Sequence, residues 1–150
     1  MIDTPITWNI VRRLLDRGVP PNLAPQMASL RVVDRQLAFY EPLSDDVVLW
    51  RLETGEMSSL HGRAFALGEE NILNAGTYSL DRRLMVYDNP LQWLQNEGRG
   101  IVPLRWDMAF NWLRDAPRVA VMESLLPAYR KAMKPSMPEL AVLCERRMLA

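Results

Sequence analysis

Between residues 30 and 67 the chain is cut into short apolar runs, at 30–33, 37–40, 47–52 and 60–67, rich in β-branched and aromatic side chains. Asp34-Arg35, Ser44-Asp45-Asp46 and Glu53-Thr54-Gly55-Glu56 stand between them. Runs this short cannot complete an amphipathic helix but have the length and composition of strands, so consecutive hairpins, a β-meander, are expected. The run at 47–52 is fairly apolar on both alternations, Val48, Trp50 and Leu52 against Val47, Leu49 and Arg51, which implies a covered sheet.

The flanking segments have other periods. Thr4 and Pro5 read as a cap and a first-turn proline, followed by Val11, Leu14 and Leu15 at helical spacing until Gly18 and Pro20-Pro21 break the pattern. From residue 77 strands expected at 84–87, 101–105, 118–122 and 139–143 alternate with helices expected at 90–98, 107–115 and 124–133. That alternation calls for right-handed crossovers and a small, mostly parallel sheet. Pro103 lacks the N–H a central strand needs, which favours an edge position for its strand. The expected class is α/β, with α+β as the other possibility. The expected organisation is one domain over 1–150, a helix-and-meander part at 1–67 and a strand-helix part at 77–150, joined by a short helix at 69–75.

Composition limits function. With 150 residues, 49% hydrophobic and 24% charged, the chain matches a globular domain with one core. A formal charge of +0 gives no whole-molecule attraction to nucleic acid or an anionic membrane, although residues 1–75 carry −3 and residues 76–150 carry +3. The single cysteine, Cys144, cannot form an internal disulfide, and no apolar run reaches membrane-spanning length. The expectation is a soluble, cytoplasmic protein with no membrane association and no cofactor.

In parallel sheets, ligands bind beyond the carboxyl ends of the strands. The expected strand ends place Asp88, Asp107, Glu123 and Glu145 on one rim, where four carboxylates could hold Mg²⁺ for phosphoryl transfer or nucleotide binding. Asp88, Asn89, Asp107 and Ser124 also stand just before expected helices, where capping alone accounts for their residue types. Over about the last 70 residues the arrangement resembles the Toprim-type α/β domains of primases and topoisomerases. Those domains use a glutamate after one parallel strand and a separated acidic pair after another. The resemblance is architectural and degenerate: the strand at 101–105 ends in Trp106-Asp107 rather than Glu-Gly, and the adjacent Asp45 and Asp46 lie in the other half of the chain.

His61, the only histidine, is accompanied by no nucleophile elbow and no metal-ligand pair, although Ser58, Ser59 or Cys144 could meet it in space. Gly98-Arg99-Gly100 precedes a strand, whereas a dinucleotide loop follows one. Trp93, Arg105, Trp106 and Trp112 combine the aromatic and guanidinium groups enriched at interface hot spots. They are the expected anchors of a non-catalytic binding or regulatory protein that acts through a protein partner, a second copy included. Arg130, Lys131, Lys134, Arg146 and Arg147 form a modest basic patch for weak nucleic-acid binding, an accessory role.

Overall fold

The computed structural model describes residues 3–135 and 138–143 and combines helices and strands in two halves. The first half is a five-stranded antiparallel sheet in sequential order: β1 (Asp3–Pro5), β2 (Arg31–Val33), β3 (Gln36–Glu41), β4 (Asp46–Trp50) and β5 (Met57–Ser59). The expected meander is present. Its β2–β3 turn is a two-residue hairpin, with Val33 paired to Gln36, and Asp34 and Arg35 at φ 49° and 63°. Positive φ at both centres matches the right-handed twist of the strands it joins.

Helix α1 (Trp8–Asp16) begins after Thr7, whose side chain makes no capping bond, and not after Thr4, because residues 3–5 pair with β2 instead. Its Val11 and Leu14 are buried with Val19 and Met27, the latter from α2 (Ala24–Ala28). They pack in one cluster with Leu37, Phe39, Val48 and Trp50 of the meander.

The expected strand at 60–67 is shorter. Only β6 (Ala66–Leu67) is a strand there, and residues 60–65 form a loop. Asp46 causes this, by drawing the loop's amides onto its carboxylate. Helix α3 (Glu70–Leu73) and a kinked 3₁₀ segment, Ala75–Asp81, lead to β7 (Leu84–Val86). Next come α4 (Pro90–Gln95), β8 (Val102–Pro103), α5 (Ala109–Leu113), β9 (Val119–Val121) and α6 (Leu126–Ala132). Asn89 caps α4 as the sequence implied, its side chain accepting the Gln92 N–H at 2.9 Å.

β7 and β9 are parallel, and a parallel bridge from Val86 to Ile101 brings the β8 strand alongside β7. β6 pairs antiparallel with β8. The lateral order is therefore β6, β8, β7, β9. Pro103 does not mark an outer strand; it sits at the end of β8, beyond the Ile101 bridge to β7. The strand expected at 139–143 is not formed: residues 138–143 have no regular structure, and Leu140, Val142 and Leu143 are exposed.

Alternation in β7 and β9 divides the second sheet into two faces. Leu84, Val86, Val119 and Val121 pack with Phe65, Leu113 and Tyr129 in a second cluster, under α5 and α6. Met85 and Ala120 point the other way.

Candidate functional site

The face carrying Met85 and Ala120 is only partly covered. Tyr87 is buried in the first cluster with Leu94 of α4, but Met85 remains 40% exposed. The result is an open groove of about 980 Å³ with Met85, Ala120 and Gly100 in its floor. One wall is the 3₁₀ segment and the residues after it, including Arg82 and Arg83; the other is the end of α4 through Arg99.

Local bonds fix both walls. Asn71 Nδ2 donates to Gly98 O at 2.9 Å and Gly100 O at 2.8 Å, and Trp93 Nε1 donates to Gly100 O at 2.9 Å. Arg118 donates to Tyr78 O at 2.6 Å and Arg82 O at 3.1 Å, holding the opposite wall to β9. Leu80 and Asp81 take φ 54° and 60°, the kink from which Arg82 and Arg83 project. Left-handed conformations in such residues persist only where surrounding contacts impose them. Arg99 pairs with Glu97 at 3.0 Å, whereas Arg82 and Arg83 enter no ion pair among the described residues.

A smaller recess of about 310 Å³ lies beside the groove and shares Asn71 and Asn74 with it. Glu41, from β3, is buried in its lining and accepts the Gly68 N–H at 2.6 Å. Burial pushes the Glu41 carboxyl up to about 8; the nearby charges of Glu69 and Glu70 push the same way, and the amide bond from Gly68 opposes them.

Two further acids organise the chain between the sheets. Asp46 accepts the backbone N–H groups of Val47, His61, Arg63 and Ala64 at 2.7–2.9 Å, and the Ser59 hydroxyl. Burial alone would raise its pKa, but these donors outweigh burial and hold the carboxyl well below its ordinary range. Glu69, fully buried, accepts the Phe65 N–H at 3.1 Å and the Ser44 hydroxyl.

The residues singled out in the sequence are dispersed. Trp93 is half-buried, edge-on to Phe39 at 5.9 Å, in the first cluster. Trp106 and Trp112 belong to the second, where Trp112 stacks on Phe65 at 5.8 Å. All three rings contribute to cores. Arg105 is exposed, bonded to Gly62 O at 2.5 Å and Asp107 at 3.0 Å.

Of the rim acids, Asp88 accepts the Ser124 hydroxyl at 3.2 Å, as neighbouring parallel strands require. Asp107 is paired with Arg105, Glu123 is exposed, and Glu145 lies outside the described residues. Among the described residues no three His, Cys, Asp or Glu side chains are placed to hold a metal ion. Arg130, Lys131 and Lys134 are exposed on and after α6; Arg146, Arg147 and Cys144 lie outside the described residues. His61 contributes its backbone amide to Asp46, and the Ser59 hydroxyl is likewise engaged there.

Sequence reasoning missed the groove and the buried acids. The signals were present in Arg82-Arg83 directly before a strand, and in Met85 between Leu84 and Val86 where the alternation turns outward. Among the described residues no helix is long and apolar enough to cross a membrane. Comparison with protein-family models, curated proteins and solved structures finds no match.

Proposed function

We propose that this chain is a non-catalytic binding protein of accessory or regulatory type, which holds an extended segment of a protein partner in the groove over Met85 and Ala120. One observation carries the reading: an uncovered apolar sheet face lies in the floor of an open groove, beside two guanidinium groups with no acidic partner among the described residues. Apolar side chains of the partner would cover Met85 and Ala120, and its carboxylates would meet Arg82 and Arg83 in the bidentate geometry that suits guanidinium. The partner is therefore an acidic segment with apolar residues interspersed. The single cysteine supports a reducing, cytoplasmic setting for the interaction.

Peptide display tests this. Selection on the folded protein should enrich sequences that combine Asp or Glu with apolar residues, and the double variant Arg82→Glu/Arg83→Glu should bind them at least about tenfold more weakly. Equal binding by the double variant, or no enrichment over scrambled peptides, would overturn the reading.

A further inference from the structure

β9 is an outer strand of the second sheet: among the described residues it pairs on one side only, with β7. Leu84 donates to Arg118 O at 3.0 Å and Met122 donates to Val86 O at 3.2 Å. In a parallel ladder the bonding residues alternate, so Ala120 faces β7 while the N–H and C=O groups of Val119 and Val121 face outward. An open edge of this kind is a template for another strand.

The same chain carries a matching strand that is not in use. Residues 139–143 read Glu-Leu-Ala-Val-Leu, and Leu140, Val142 and Leu143 are 83%, 87% and 75% exposed. β9 and its flanks read Arg118-Val119-Ala120-Val121-Met122. Laid in parallel register, Glu139 meets Arg118, Leu140 and Val142 extend the apolar face of Val119 and Val121, and Ala141 lies beside Ala120. The charges are complementary and the small residues coincide. The segment is exposed rather than folded back on its own β9, and the link from α6 contains Pro135 and Pro138, which resist tight reversal.

We propose that the β9 edge is filled by residues 139–143 of a second copy of this chain, in a reciprocal strand exchange that makes a two-fold dimer. Exchange of identical segments is a low-cost route to dimers, and a link stiffened by proline favours it over closure within one chain. In this arrangement Ala141 N–H donates to Val119 O of the other copy, and Ala141 O accepts its Val121 N–H. The proposal does not depend on the groove's ligand.

Sedimentation equilibrium of the full chain at micromolar concentrations tests it, together with hydrogen exchange. The expected result is a dimer whose Val119 and Val121 amides are protected, with protection lost on dilution to monomer. Ala141→Pro removes the central donor and Val142→Asp places a charge in the buried row; each should give a monomer. Both substitutions fall in an exposed segment, so the circular dichroism spectrum and melting temperature of the dilute monomer should stay unchanged. A wild-type monomer at every concentration would overturn the proposal, as would a monomer with a protected Ala141 amide, or a dimer indifferent to Ala141→Pro.

Discussion

The Glu41 carboxyl group accepts the Gly68 amide at 2.6 Å across 27 residues of chain, and so ties the meander to the second sheet. Burial holds this carboxyl's pKa at about 8 against an ordinary value of 4.5. Between those values the folded protein retains a proton that the unfolded chain has lost. Stability from this group is therefore full below about pH 4.5 and is lost as the pH rises through about 8. Urea unfolding should show wild-type stability falling over this window by an amount on the order of a few kcal/mol. In Glu41→Gln the fall should be absent, and a wild type equally stable at both ends contradicts the assignment.

Asp46 behaves in the opposite sense. Its pKa is lowered on folding, so its contribution is present at neutral pH and disappears as the pH drops below the ordinary aspartate value of 3.8. Asp46→Ala strips the acceptor from four backbone amides and the Ser59 hydroxyl. A loss of about 2–4 kcal/mol is expected, with an unchanged urea m-value. A loss below about 1 kcal/mol would show that water replaces these bonds cheaply.

Two glycines with similar backbone angles should respond differently. Gly62 has φ +70° and open space around it, so Gly62→Ala should cost only the left-handed strain, roughly 1 kcal/mol. Gly68 has φ +79°, and a Cβ there would lie 2.6 Å from Gly100 O and 2.8 Å from Trp93 Nε1, the two atoms of an existing hydrogen bond. Gly68→Ala should therefore cost more than about 2 kcal/mol. Thermal melts of the two variants side by side decide the matter; equal shifts would contradict it.

These contrasts explain what the sequence made legible. The meander was readable because Asp34-Arg35 and the other turn clusters interrupt strand-length runs, and the α4 cap was readable because Asn89-Pro90 acts locally. Residues 60–65 misread as strand because Asp46, at the start of β4, bends them through long-range bonds that no local pattern encodes. Residues 139–143 have strand composition but no partner within their own fold. Trp93, Trp106 and Trp112 suggested a surface by their crowding along the chain, whereas the two sheets draw them into two different clusters. The groove was hidden for a related reason: whether Met85 is covered depends on where α4 packs.

Metal addition should be silent. Asp107 is engaged by Arg105, and Asp88 by Asn89 and Ser124, so millimolar Mg²⁺ should leave the melting temperature unchanged. A rise abolished by Asp107→Asn would instead revive the magnesium reading of the strand-end carboxylates.

The most direct test of the groove is site-specific photocrosslinking in the cell that makes the protein. A benzophenone side chain at Met85, in the groove, should give a discrete protein adduct that is absent when the same group replaces the exposed Glu53 on the meander. The adduct should disappear in the Arg82→Glu/Arg83→Glu background. Identical adducts from both positions, or an adduct at Met85 that survives the double charge reversal, would contradict the groove as the binding surface.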